Sequence, residues 1–235
     1  MDIVIFCFIN NSQDNRFRQK KCEVSSMCKI LKELHNKSSE EILEKYGLKG
    51  QFPVDIADIA QKIGITLGSM DFREFEKKDS VKDVVALKGH ILGFVRAKGD
   101  DVFIAYHNSL DDTSEIKNLS EVDRRDKLVR RQRFTIAHEI AHCCLHLDPN
   151  KDGINIEYRT EQKDYTNGSR EREANIFAGE LLIPLNTLTN LCMLYGNRIS
   201  ISLFADIYKV SNHVMEARIA YLQEKGYFAN VKIFT

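Results

Sequence analysis

The sequence predicts an α+β fold, mostly helical, with a small antiparallel sheet and a C-terminal helical pair. Three observations lead there. Apolar residues recur at helical spacing in several segments, residues 84–107 alternate in the manner of strands around the turn signal KGDD, and two apolar-faced runs separated by VSN lie near the end of the chain. With 235 residues, the chain has room for one principal domain with a real core, or for a domain plus a small helical appendage. Its segments divide into an N-terminal extension (1–37), a central domain (38–195) and a C-terminal helical unit (196–235) packed on that domain.

Taken in order, the first 26 residues differ in character from the remainder of the chain, and Met27 opens a stretch that reads as a domain start. SSEEILEKYG and PVDIADIAQKIGI read as two short amphipathic helices, the second with Ile56, Ile59, Ala60 and Ile63 on one face. The alternating segments VVALKG and HILGFVRAKGDDVFIAYH come next as the sheet. RFTIAHEIAHCCLHL then reads as a helix, preceded by the basic run RRDKLVRRQR, which reads as a solvated helical face. DGINIEYRTEQKDYTNGS, rich in polar and turn residues, reads as a loop leading to a second helix with Ser169 at its N-cap and Pro184 at its stop or bend.

Composition excludes several classes. Thirty-four basic residues balance 34 acidic ones, so no global field draws the chain to nucleic acid or to a membrane surface. The apolar start IVIFCFI spans seven residues with no basic region before it, which argues against a signal peptide or membrane span and for a cytoplasmic protein. Cys7, Cys22, Cys28, Cys143, Cys144 and Cys192 form no CxxC pair or secreted-type framework and read as thiols, Cys143 and Cys144 as small buried fillers.

The chemistry concentrates in RFTIAHEIAHCCLHL. Residues four apart share a helix face, so His138 and His142 can present their imidazoles to one metal ion, while Glu139, rotated by one residue, falls beside it. A carboxylate there accepts a proton from water instead of coordinating. Zinc suits two neutral imidazoles and one carboxylate, with a fourth position open. His146 is rotated by about 80° from His138 on a continuing helix, which suits packing or support of a ligand better than coordination. The following helix, SREREANIFAGELLIP, offers the third ligand in Glu171 or Glu173. Glu171 lies on the same stripe as Ala174, Phe177, Ala178, Leu181 and Leu182, and spacing favours it; Glu173 is rotated by about 200°.

RQRFTIAHEIAHCCLH together with EREANIFAGELLIP resembles the ImmA/IrrE-type metallopeptidase family, and VDIADIAQKIGI resembles that family's opening helix. The resemblance extends over roughly residues 38–225. It implies a zincin-like peptidase domain holding one Zn2+, with Mn2+ or Fe2+ as alternatives, on His138, His142 and Glu171, and with Glu139 as general base. Asn175 would support a ligand, and Tyr158, Tyr165 and Arg159 are candidate donors to the oxyanion. It further implies a protein substrate, a helix-turn-helix transcriptional repressor, cleaved to relieve repression in a stress-response or mobile-element switch. The alternative is a non-catalytic metal-containing protein that sequesters a repressor or toxin partner. A third reading makes the C-terminal pair a DNA-binding helix-turn-helix, but His213, Glu216 and Arg218 supply few cations for phosphate.

Overall fold

The computed structural model describes residues 28–77, 91–110, 114–151, 154–160 and 168–234. The segment VVALKG and Tyr165 lie outside the described residues. Helices α1 (Lys29–Leu34), α2 (Ser39–Lys45) and α3 (Ile56–Ile63) open the described chain. Residues 28–37, read from sequence as part of an extension, contribute Leu31 and Leu34 to the core. Helix α2 starts with a reciprocal cap in which Ser38 Oγ accepts from the Glu41 amide at 3.2 Å and the Glu41 carboxylate accepts from the Ser38 amide at 2.9 Å. Helix α3 is capped by Asp55 and ends at Gly64, whose φ of 93° requires a residue without Cβ strain. Its Ile56, Ile59, Ala60 and Ile63 are buried, as their spacing predicts.

Strands β1 (Thr66–Met70), β2 (Ile91–Lys98), β3 (Asp101–His107) and β4 (Ile154–Thr160) form one sheet in the order β1-β3-β2-β4. The expected hairpin joins β2 to β3, turning at Gly99. Two features extend the sheet beyond the antiparallel reading. Strand β1 pairs parallel with β3, and β4, which sequence read as loop, pairs antiparallel with β2. The polar residues of INIEYRT hid the strand because β4 stands at the sheet edge, where Ile154 and Ile156 are exposed and strict apolar alternation is not required.

Helix α4 (Glu121–Leu145) is one continuous element of 25 residues, capped by Ser120, whose hydroxyl accepts from the Asp123 amide at 3.1 Å. Its burial is confined to its second half, where Thr135 to Cys144 are all buried. Helices α5 (Gly168–Leu182) and α6 (Leu185–Leu194) come after β4, broken at Pro184, which stands at the N-cap of α6. Strand β5 (Arg198–Ser200), helices α7 (Ile201–Tyr208) and α8 (Asn212–Glu224) and strand β6 (Lys232–Phe234) complete the chain, with β6 returning to pair parallel with β5. No single described helix is long and apolar enough to cross a membrane.

One apolar core runs from Leu31 through α4 and α5 to Leu222, and a smaller cluster of Phe72, Phe75, Ile91, Phe94 and Ala105 lies beside it. The basic run before the histidines is more than a solvated face. Arg130, its side chain only 13% exposed, binds Asp126, donates to Asp206 Oδ1 at 2.6 Å and donates to the Val210 carbonyl at 2.6 Å. Arg133 Nε donates to the Lys209 carbonyl at 3.1 Å. These bonds fasten the α7–α8 turn to α4. Arg130→Ala therefore lowers unfolding stability by about 2 kcal/mol, because hydrogen bonds to a charged group are among the stronger ones; urea denaturation with an unchanged slope checks it, and an unchanged midpoint would remove Arg130 as the fastener.

Candidate metal centre

The centre is built where α4 crosses α5. Ala137 and Ala141 on α4 and Ala174 and Ala178 on α5 are each fully buried, and their small side chains let the two helices approach closely. His138 and His142, one turn apart on α4, present their Nε2 atoms 3.0 Å from each other. From α5, Glu171 closes the triangle, with Oε2 3.1 Å from His138 Nε2 and Oε1 3.2 Å from His142 Nε2. One ligand atom from each of these three residues falls within 4.8 Å of the others, and among the described residues this is the one such cluster able to hold a metal ion.

The ring orientations are set from behind. His138 Nδ1 donates to Asn175 Oδ1 at 3.0 Å, so in the neutral imidazole Nε2 is left as a bare lone pair facing Glu171. Burial favours that neutral form, holding the His138 pKa down to about 4 against the hydrogen bond with Glu171. His142 is likewise disfavoured as a cation by burial, but the Glu171 bond and the charges of Glu139, Glu171 and Glu157 outweigh it and raise its pKa. Burial would raise the Glu171 carboxyl; its two histidine contacts prevail and hold it well below the usual carboxylate range. A lone pair and a carboxylate pointed at one another at 3.1 Å are satisfied by a shared cation. The donor chemistry of two imidazoles and one carboxylate fits a divalent transition metal.

Glu139 sits beside this trio and is fully buried, and neither of its oxygens has a hydrogen-bond partner among the described residues. Burial raises its pKa to about 8, offset in part by His142 and Arg159. A buried carboxyl group without a partner is costly whether it ionises or stays protonated, and such groups with perturbed pKa values cluster at functional sites. The room for it comes from strand β2. A Cβ at Gly93 would stand 2.4 Å from Thr135 Cγ2 and 3.2 Å from Glu139 Oε1. The β2–β4 register also slips between Ile91 and Gly93, beside the same contact.

The remaining candidates divide by strand register. Gly93 pairs with Arg159 and Phe94 with Tyr158, so Arg159 shares the sheet face of Gly93, toward α4, while Tyr158 shares that of Phe94. Arg159 Nη1 donates to Thr135 Oγ1 at 2.7 Å, and its guanidinium lies 4.9 Å from the Phe134 ring. Its pKa is pushed down to about 10 by burial, against the charges of Glu139 and Glu171. Tyr158 packs on Phe94, ring centroids 5.8 Å apart, on the face turned away from the histidines. His146 does not join the trio. Helix α4 stops at Leu145, and the His146 ring folds back so that its Nδ1 lies 2.8 Å from His142 Nδ1, with its Nε2 3.1 Å from Glu173 Oε2. Cys143 and Cys144 are fully buried thiols.

Two partners escaped the sequence reading. Glycine at position 93, in the middle of an alternating strand, was a legible sign of close backbone approach. Thr135, which anchors Arg159, carried no such sign.

Residues 123–220 match the family model of a peptidase domain described as the IrrE N-terminal-like domain. Over these residues the chain is similar to the IrrE N-terminal-like domain. The match begins in the first turn of α4 and ends within α8, so it takes in the histidine helix, the glutamate helix and most of the C-terminal pair. The resemblance read from the HExxH and EREAN motifs is thus borne out over the residues that carry them. No curated protein matches the chain.

The contact between Gly93 and Thr135 yields a test. Gly93→Ala lowers stability by about 2 kcal/mol through overpacking, and Thr135→Ser, which deletes the clashing methyl and keeps the hydroxyl for Arg159, restores part of that loss in the double variant. Thermal unfolding of the four proteins checks it; strictly additive effects would mean that the two side chains do not meet.

Proposed function

We propose that the chain is a zinc-dependent endopeptidase with His138, His142 and Glu171 as metal ligands and Glu139 as general base. The single observation that carries this reading is the buried Glu139 carboxylate, orphaned beside a converging His-His-Glu trio. A structural metal site has no use for an unpartnered carboxylate next to it, whereas hydrolysis requires one.

A zinc ion held by the trio would supply Lewis acidity, stabilising charge on a scissile carbonyl and making water acidic enough to attack near neutral pH. Glu139 takes the proton of the attacking water and returns it to the leaving amine. Gly93 keeps the strand far enough away for that carboxylate to turn between the two tasks. Asn175 holds His138 in the tautomer that leaves Nε2 free. Arg159, the one described oxyanion candidate on the α4 face of the sheet, supplies positive charge on the Glu139 side of the centre. The substrate we propose is a helix-turn-helix repressor, cleaved to relieve repression, as the family resemblance implies; the peptidase family match supports the coarser statement of a protein substrate.

Metal-stripped protein reconstituted with zinc at micromolar concentration takes up one ion per chain, as does Glu173→Ala, while Glu171→Ala retains little after gel filtration. Elemental mass spectrometry reads this, and equal retention by Glu171→Ala and wild type would move the third ligand elsewhere. Glu139→Gln keeps its zinc and loses hydrolysis of candidate repressors by about 100-fold or more. Cleavage by that variant at the wild-type rate would sink the mechanism, and tight repressor binding without cleavage by either protein would favour sequestration.

A further inference from the structure

We infer that Glu173 and His146 form a hydrogen-bonded relay that fixes the tautomer and the ring orientation of His142. The inference rests on the proposed role of His142 as a metal ligand, and adds two positioning residues to it. His146 Nδ1 lies 2.8 Å from His142 Nδ1, and His146 Nε2 lies 3.1 Å from Glu173 Oε2. Both rings are sheltered, with side-chain exposures of 1% for His142 and 5% for His146, while Glu173 at 57% reaches in from the surface. The relay is also held at its backbone. Arg170 Nη2 donates to the His146 carbonyl at 3.0 Å and to Glu157 Oε1 at 2.7 Å, tying the end of α4 to α5 and β4.

The polarity of the chain of bonds is set by its terminus. A carboxylate only accepts, so His146 Nε2 carries the hydrogen that points at Glu173. A neutral imidazole has a single N–H, so His146 Nδ1 is the acceptor and His142 Nδ1 the donor. In the neutral form that would bind a metal, His142 Nε2 is then the bare lone pair, on the side of Glu171 and His138 Nε2. Asn175 does the same for His138 through one amide oxygen. The two ligands are therefore oriented by separate devices, both carried partly on α5, which supplies Glu171, Glu173 and Asn175 at alternate positions.

The test uses the full chain and zinc alone as the probe. Chelator competition on wild type, His146→Ala, Glu173→Ala and Glu173→Lys gives the zinc affinity, and urea unfolding of the metal-free proteins gives stability. Loss of such a supporting bond weakens zinc by about 10-fold or more in His146→Ala, with a smaller loss in Glu173→Ala at unchanged stability. Glu173→Lys replaces the acceptor by a donor and reverses the polarity, so it loses more than Glu173→Ala. In 15N-histidine spectra of zinc-loaded wild type, the His142 hydrogen sits on Nδ1 and that of His146 on Nε2, and the His146 assignment is lost in Glu173→Lys. Wild-type zinc affinity in Glu173→Lys, or a His146 hydrogen on Nδ1 in wild type, overturns the relay. If wild type binds no zinc, the metal reading falls by itself, and the His146 hydrogen position in the metal-free chain still decides the relay: on Nε2 in wild type and moved in Glu173→Lys upholds it, and unchanged overturns it.

Discussion

The structure is arranged around three polar side chains buried in the C-terminal half of one helix. His138, Glu139 and His142 are each exposed by 1% or less, within a run from Thr135 to Cys144 that is otherwise apolar or small. Groups of this kind are taken out of water only at a cost of several kcal/mol unless they are answered by partners or by an ion. Helix α5 answers two of them, through Glu171 and Asn175, and nothing described answers the third. The unequal treatment distinguishes the three: two imidazoles are held by partners from α5, and the carboxyl group between them has none among the described residues.

The fold around this helix serves to hold α4 and α5 in register. Their crossing depends on four alanines, and α5 is itself clamped at its far end, where Glu180 accepts from Ser39 Oγ at 3.0 Å and pairs with the buried Arg218 at 3.3 Å. One carboxylate thereby joins α2, α5 and α8. At the other side, Arg130 and Arg133 bind α4 to the turn between α7 and α8. The C-terminal pair, which sequence alone allowed as a nucleic-acid reader, has its turn engaged in this attachment. The carbonyl of Lys209, at the cap of α7, accepts from Arg133, and that of its neighbour Val210 accepts from Arg130. The family match continues across the same attachment into α8.

Strand β4 illustrates how a local reading fails without contradicting the overall one. Its sequence is polar and turn-rich at both ends, and an edge strand needs only one face to be apolar. Once paired with β2, its alternation sorts Arg159 to the histidine side and Tyr158 to the Phe94 side, a division that no inspection of the unpaired segment provides. Glu173 is a similar case. Helical rotation alone turns it away from Glu171 and toward solvent, yet α4 ends at Leu145 and His146 folds back to meet it.

The sequence by itself determined the candidate site: the i, i+4 histidines, the adjacent glutamate, and the preference for Glu171 over Glu173 as the residue facing them. Each is a consequence of helical periodicity, which acts over a few residues and is written directly in their spacing. Only the tertiary structure decided what lies opposite those residues. The opening at Gly93, the anchoring of Arg159 on Thr135 and Phe134, the hold of Glu173 on His146 and the fastening of α7 and α8 by Arg130 all join segments distant in the chain. Such contacts depend on strand register and on where a helix stops, and both are fixed by packing across the whole domain.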